Sequence, residues 1–273
     1  MQNNIHFISG LPRAGSTLLS ALLSQNPRFN ASMTSPMGGL FKVLLREMSQ
    51  DSEYGVFIDN DQRAKILTAS FDAYYHRIPA EQIIFDTNRV WLTKLPALTA
   101  LYPQAKFICC VRNVAWVLDS IESLVRRNAL EPSKIFNFDT GGTVYSRVEG
   151  LASGNGMVGF ALNAVREAVF GEQADRLLLV RYETLVANPL GALAKIYDFI
   201  DEPLYPHDVN NIKGCDKTVE FDARLGTPGL HRVGSSIHKN QRRTILPPDL
   251  FNRHEPFSFW QNKGELPAGV RLI

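Results

Sequence analysis

Residues 10–17 read Gly10-Leu11-Pro12-Arg13-Ala14-Gly15-Ser16-Thr17 and join two apolar segments of different periodicity. The run at residues 5–8 predicts a short buried strand, and the leucines at residues 18–23 recur at helical spacing. A glycine-containing turn between a strand and a helix directs backbone N–H groups and the positive end of the helix toward one point. The pattern therefore favours an anion-binding loop over an ordinary turn.

The loop has nearly the spacing of the nucleoside-triphosphatase pattern G-x-x-x-x-G-K-[ST]. Ser16 stands where that pattern has its lysine, and the only cation in the loop is Arg13, three positions earlier. Pro12 stiffens the crest from which this arginine leaves, and a guanidinium there suits a phosphate or sulfate. Ser16 and Thr17 are expected to cap the following helix and to offer hydroxyls to the anion.

This loop resembles the phosphosulfate-binding loop of sulfotransferases, which use 3′-phosphoadenosine 5′-phosphosulfate (PAPS). Its arginine is more similar to the tyrosylprotein and bacterial branches than to the small-molecule cytosolic branch, which usually carries lysine there. The resemblance implies that the loop holds the phosphosulfate and that Arg13 neutralises the transferred group. The implied cofactor contacts in the loop are Pro12, Arg13, Ala14, Gly15, Ser16 and Thr17.

The composition indicates an ordinary globular protein. The 273 residues are 45% hydrophobic and 21% charged, and we predict a single sulfotransferase-like domain over residues 1–273. A net charge of +2 gives no strong attraction to nucleic acid or to a membrane, and Lys239, Arg242 and Arg243 are expected to form a solvated basic stretch. The three cysteines make no disulfide framework and the start lacks a signal-peptide pattern, so a cytoplasmic location is expected.

Further apolar runs at residues 83–85, 107–111 and 177–180 predict buried strands, and amphipathic segments alternate with them. We therefore predict an α/β fold with three layers and a mostly parallel central sheet of P-loop-like topology. In such sheets, ligands bind at the carboxyl ends of the strands.

A second constellation follows the strand at residues 107–111. Arg112 comes directly after that strand, and Ser120 lies about two turns into the helix that Asn113 is expected to cap. An arginine at a strand end and a serine in the next helix match the family's 3′-phosphate site. Separately, Arg112 could be a surface residue and Ser120 a neutral helix position.

Two weaker similarities lie further along the chain. Arg181 to Leu185 resembles a family segment whose tyrosine lies near the adenine, which makes Tyr182 the expected adenine contact, with a core tyrosine as the alternative. The residues around His231 and Arg232 resemble the C-terminal loop that closes over the cofactor phosphates, so both are expected cofactor contacts.

The general base is the weakest part of the resemblance. The tyrosylprotein branch places a glutamate about twenty residues past the loop arginine, but this chain has Met33 and Thr34 in that region. The family's lysine after the next strand is replaced by Thr87, with Arg89 two positions on. Asp86, at the ligand edge of the sheet, is the expected base, and a purely structural role in ordering the loop is the alternative.

The resulting hypothesis is a PAPS-dependent sulfotransferase that moves a sulfuryl group in line to a hydroxyl or amine, without a metal, and releases 3′-phosphoadenosine 5′-phosphate (PAP). The alternatives are a P-loop nucleotide kinase, for which Asp86 would hold Mg²⁺, and a non-catalytic nucleotide-binding protein. The acceptor, a small molecule or a peptide, and the oligomeric state are not encoded in a recognisable pattern. Residues 31–76 and 129–159 are expected to shape the acceptor pocket, and residues 129–159 are either a mobile cover or a long connection.

Overall fold

The fold is built on one parallel sheet whose strands come from both ends of the chain. A computed structural model describes residues 4–139, 141–237, 242–262, 264 and 266–273. The strands are β1 (Ile5–Gly10), β2 (Phe29–Ala31), β3 (Ile83–Thr87), β4 (Phe107–Val111), β5 (Leu177–Arg181) and β6 (Arg271–Leu272). Their order in the sheet is β2-β3-β1-β4-β5-β6, and every pair is parallel. The predicted α/β fold with a mostly parallel sheet is confirmed.

Helices cover the sheet and connect its strands. They are α1 (Ser16–Leu23), α2 (Met37–Glu47), α3 (Asn60–Tyr74), α4 (Leu95–Leu101), α5 (Val114–Arg127), α6 (Val144–Ala152), α7 (Met157–Phe170), α8 (Tyr182–Ala187), α9 (Pro189–Phe199), α10 (Thr218–Arg224) and α11 (Pro248–His254). None of these helices, in the part of the chain that the structure describes, is long and apolar enough to cross a membrane.

Several elements have local features that the sequence pattern does not show. Residues 89–101 form a 3₁₀ turn, Arg89–Lys94, followed by α4, because Pro96 lacks an N–H and is accommodated only in the first turn of a helix. Strands β2 and β6 were not predicted, since two or three residues are too short to show a period. Within residues 129–159, the structure forms the short helix α6.

The end of β1 requires glycine because the neighbouring strand lies very close. A Cβ on Gly10 would lie 2.1 Å from the Cys110 carbonyl oxygen, and the residue has a φ of +118°. The next residue, Leu11, donates its N–H to that same carbonyl at 2.9 Å. This close pairing of β1 with β4 fixes where the chain leaves the sheet and where the following loop begins.

Candidate active site

The loop after β1 presents unsatisfied backbone donors at the start of α1. Arg13 and Gly15 have left-handed backbones, with φ of 58° and 92°, which curl the chain into a tight crest. Gly15 is the N-cap of α1, and no side chain caps the helix. The expected capping by Ser16 and Thr17 is therefore wrong, since both lie inside the first turn. Their backbone N–H groups belong to the first turn, where no carbonyl of the helix can accept from them, and they can therefore donate to an anion.

The loop opens onto a cleft of about 1130 Å³. Most of the predicted cofactor contacts line it, namely Pro12, Arg13, Gly15, Ser16, Thr17, Arg112, Tyr182, His231 and Arg232. Ala14 does not, because its side chain is buried in the core beneath the loop. Ser120 is also buried and lies behind the Arg13 side chain. The cleft thus joins segments that are far apart in the sequence.

Arg13 connects the two predicted phosphate sites. Its Nε donates to the Ser120 hydroxyl at 3.1 Å, and its Nη1 donates to the Leu230 carbonyl oxygen. Arg112 donates from Nη1 to the Arg13 carbonyl at 3.1 Å, and its guanidinium lies 4.3 Å from the centre of the Tyr182 ring. The loop arginine, the strand-end arginine, the helix serine and the tyrosine therefore form one continuous set of contacts.

The cleft holds arginines without a countercharge. Among the residues that the structure describes, no carboxylate pairs with Arg13, Arg89 or Arg112. Burial lowers the pKa of Arg13 and of Arg112, and in Arg13 the neighbouring Arg112 lowers it further, so that the pKa of Arg13 falls to about 10. Desolvated guanidinium groups without a counterion are costly, and a bound anion with several charges removes that cost.

Arg89 was noted in the sequence but not chosen as a site residue. It follows β3, keeps its side chain exposed to the cleft, and is fixed by a hydrogen bond from the Ser9 hydroxyl to its carbonyl at 3.1 Å. The signal that could have found it is its place two residues beyond the carboxyl end of a central strand, at the ligand edge of the sheet.

Asp86, the expected base, lies in the protein core. Its side chain is completely buried and does not line the cleft. Tyr75 donates its hydroxyl to Oδ2 at 2.6 Å, Trp91 donates Nε1–H to Oδ1 at 2.8 Å, and the Ser35 hydroxyl lies 2.8 Å from both oxygens. Burial raises the pKa of Asp86, although these donors favour its ionised form. The contacts correspond to the structural alternative, since Asp86 ties β3 to α3 and to the segment before α2.

The C-terminal segment contributes a histidine with a buried carboxylate beside it. His231 Nδ1 lies 2.6 Å from Asp222 Oδ1, and Asp222 Oδ2 accepts the His231 backbone N–H at 2.9 Å. Arg232, the neighbouring predicted contact, is exposed on the cleft. Asp222 was not foreseen, because a single acidic residue on a short helix carries no distinctive pattern.

The predicted basic stretch after the cleft is not simply solvated. Arg242 pairs with Asp119, which is fully buried on α5 and also accepts from the Thr244 hydroxyl and the Ile245 N–H at 2.8 and 2.7 Å. The expectation for Arg242 was therefore wrong, and Lys239 lies outside the described residues. Asp119 thus holds this segment against α5, at the residue that precedes Ser120.

Comparisons with known proteins agree with this geometry. A sequence model described as "Sulfotransferase family" matches residues 6–206. Protein-tyrosine sulfotransferase 1 from Danio rerio is 26% identical over 278 residues, which cover 97% of this chain and 67% of that protein. The sulfotransferase domain of the Synechococcus PCC 7002 olefin synthase has a similar fold, with a TM-score of 0.51, 19% identity, and coverage of 93% of this chain and 94% of that one. A sulfotransferase from Alicyclobacillus acidocaldarius gives a TM-score of 0.53 at 15% identity, over 82% and 92% of the two chains.

Proposed function

Because this chain belongs to the sulfotransferase family, we propose that its cleft transfers the sulfuryl group of PAPS in line to a hydroxyl or amine of an acceptor. The observation that supports this most directly is the group of unpaired arginines, Arg13, Arg89 and Arg112, beside an uncapped helix start. A nucleotide with phosphates on both its 3′ and 5′ positions offers several negative charges to match them. PAPS, when bound, supplies the sulfuryl group and leaves as PAP.

Each arginine has a distinct role in this proposal. Arg13 and the loop N–H groups neutralise charge that develops on the bridging and equatorial oxygens, as preorganised donors do in related phosphoryl transfer. Arg112 and Ser120 bind the 3′-phosphate, with Arg13 already hydrogen-bonded to Ser120 between the two phosphate sites. Arg89 takes the place of the family's lysine as the second cation near the sulfate.

The remaining predicted contacts complete the cofactor site. Thr17 offers its hydroxyl to the 5′-phosphate from the first turn of α1, and Tyr182, stacked on Arg112, provides a flat face for the adenine. Arg232, exposed on the cleft, closes over the phosphates from the C-terminal segment. These assignments use only residues that already line or adjoin the cleft.

The acceptor is proposed to bind in the same cleft as the cofactor. Part of the cleft lining is apolar, from Met33, Pro36, Met157 and Phe221, and Lys217 also lines it. Such walls bind an apolar body while the reacting hydroxyl or amine reaches the sulfate. The acceptor is thus proposed to be a small molecule or peptide side chain with an apolar part.

A thermal-shift titration with PAP tests the cofactor assignment without an acceptor. A ligand that binds only the folded state stabilises it by about 2.7 kcal/mol at a hundred times its Kd. We expect PAP without metal to raise the Tm, and ADP or ATP with Mg²⁺ to raise it much less. Arg112→Ala should lose most of the PAP shift, whereas Arg46→Ala, which removes a largely exposed arginine from α2, should keep it.

The opposite ligand preference would contradict the proposal. A Tm shift with ATP and Mg²⁺ but not with PAP would favour the kinase alternative. PAP binding without turnover on a broad panel of phenols, alcohols and amines would favour a non-catalytic nucleotide-binding protein.

A further inference from the structure

His231 is held by Asp222 at two points. The Asp222 side chain is nearly inaccessible to solvent, with 2% exposure, and its two oxygens take the Nδ1–H and the backbone N–H of His231. The Phe221 ring packs edge-on against the imidazole, with the ring centres 5.5 Å apart. These contacts fix both the position and the orientation of the imidazole on the wall of the cleft.

The same contacts set the tautomer of the imidazole. An ionised carboxylate only accepts hydrogen bonds, so the hydrogen of a neutral ring is placed on Nδ1. Nε2 then carries a lone pair, and none of the described residues forms a hydrogen bond with it. A neutral ring in this tautomer can accept a proton at Nε2 but cannot donate one to a phosphate, which argues against the cofactor role expected from the sequence.

Charged groups from three elements surround the ring. Asp222 lies on α10, Arg13 on the loop after β1, and Arg89 after β3. Burial lowers the pKa of His231, and the positive charges of Arg89 and Arg13 lower it further. The Asp222 carboxylate acts in the opposite direction and raises the pKa. The ring is therefore neutral near pH 7 and able to accept a proton.

Arg13 brings this imidazole close to the proposed reaction centre. Its guanidinium donates to the carbonyl of Leu230, the residue directly before His231. The Arg13 guanidinium, which is proposed to neutralise the transferred sulfuryl group, thus contacts the residue next to His231. Asp86, by contrast, has both oxygens occupied and does not line the cleft.

We propose that His231 is the general base of the sulfuryl transfer and that Asp222 is its positioning residue. This inference rests on the proposed function and names the group that the resemblance left unassigned. The acceptor hydroxyl oxygen forms its bond to sulfur as the sulfur–oxygen bond to the 5′-phosphate breaks, and that electron pair stays on the phosphate of PAP. The hydroxyl proton passes to Nε2, and Asp222 stabilises the resulting imidazolium.

A single-turnover assay separates this role from cofactor binding. With radiolabelled PAPS and 2-naphthol as the probe acceptor, His231→Gln should slow transfer about a hundredfold or more, while the Kd for PAP changes less than threefold. Asp222→Asn should slow transfer at least tenfold, because an amide that donates to Nδ1 places the ring hydrogen on Nε2. Glu220→Gln, an exposed position on the same helix, is the matched control and should leave the rate unchanged.

The acidic limb of the pH–rate profile provides a second readout. Transfer by the wild-type protein should fall as His231 becomes protonated at low pH, and this limb should disappear in His231→Gln. A merely structural role for His231 would not remove the limb.

Two results would overturn the inference while leaving the proposed function intact. One is a rate within threefold of wild type in His231→Gln, and the other is a loss of PAP affinity as large as the loss of rate. If 2-naphthol is not turned over, ¹⁵N NMR of the histidine side chains in the PAP complex at pH 7.5 decides the matter. A neutral His231 with hydrogen on Nδ1 supports the inference, and a doubly protonated ring overturns it. Failure of the wild-type protein to bind PAP would instead refute the proposed function.

Discussion

Arg13 combines a strained backbone with an unpaired, desolvated side chain. A non-glycine residue at a φ of 58° is uncommon and is retained only where the surroundings impose it. Here the imposed conformation delivers a guanidinium to the junction of Ser120 and Leu230. The position of Arg13 therefore suits the binding of a negative charge and does not add to the stability of the fold.

Replacing Arg13 should remove turnover without unfolding the protein. We expect Arg13→Ala to lower single-turnover transfer from PAPS at least a hundredfold, because the main counter-charge of the transferred group is lost. The Tm without ligand should stay the same or rise, since an unpaired desolvated cation disappears. Arg112→Ala should act differently and mainly raise the Kd for PAP, as calorimetric titration can measure. Similar kcat in Arg13→Ala and wild type would refute the assigned role.

Asp86 provides the contrasting case of a strand-end carboxylate with a structural role. We expect Asp86→Asn to lower the free energy of unfolding by about 1–3 kcal/mol, because the amide cannot accept from all the donors around it. Transfer by the folded variant should remain near the wild-type rate. Urea unfolding and a single-turnover assay below the unfolding transition measure the two effects. A large loss of rate in a stably folded Asp86→Asn would restore it as the candidate base.

At the scale of the strands, β1 and β4 are joined by a buried histidine. His6 accepts the Lys106 N–H at Nδ1 at 3.1 Å, and burial lowers its pKa to about 4. The unfolded chain, with an ordinary histidine pKa, binds this proton between about pH 6.5 and pH 4 while the folded chain does not. The His6 contribution to stability is therefore complete above about pH 6.5 and is lost as the pH falls toward 4.

The pH dependence of stability should report this residue. Lowering the pH from 7.5 to 5 should cost about 2 kcal/mol through His6 alone. In His6→Asn, the amide oxygen can replace Nδ1 as acceptor but does not titrate, so this part of the decrease should vanish. Urea midpoints of both proteins at the two pH values measure it, and an unchanged pH dependence in His6→Asn would contradict the assignment.

The segment after the cleft depends on one buried carboxylate of α5. Asp119 accepts from Arg242, Thr244 and Ile245, and it directly precedes Ser120 in the helix. We expect Asp119→Asn to weaken PAP binding several-fold, because the loosened segment no longer packs against the proposed 3′-phosphate site. Limited proteolysis should cut the variant faster near residues 242–246, and Glu149→Gln, an exposed position on α6, serves as the control. Equal cleavage and equal PAP affinity would show that the anchor is dispensable.

Across the whole molecule, the sequence predicted those features that show a periodic pattern or a fixed spacing between residues. The long buried strands, the loop at residues 10–17 and the Arg112 and Ser120 pair were recognisable because each depends on neighbouring residues. The partners of His231 and Arg242 were not, since Asp222 and Asp119 reach them only through tertiary folding. The contacts of Asp86 were not predictable for the same reason, as its donors come from the residue after α3, the segment before α2 and the turn after β3. The single domain and the cytoplasmic location remain predictions.

The hydrogen bond from Arg13 to the Leu230 carbonyl also has a kinetic consequence. It joins residues 217 positions apart, whereas the pairing of β1 with β4 joins Phe7 to Phe107. Contacts of such separation form slowly, because a long loop must close before they return any free energy. During refolding, Trp91, which is buried against Phe7 of β1, should become shielded first, and competence to bind PAP should follow as a separate, later phase. The newly made chain would thus pass through a compact stage that cannot yet bind the nucleotide. In that stage the unfilled cleft is accessible to proteases and chaperones.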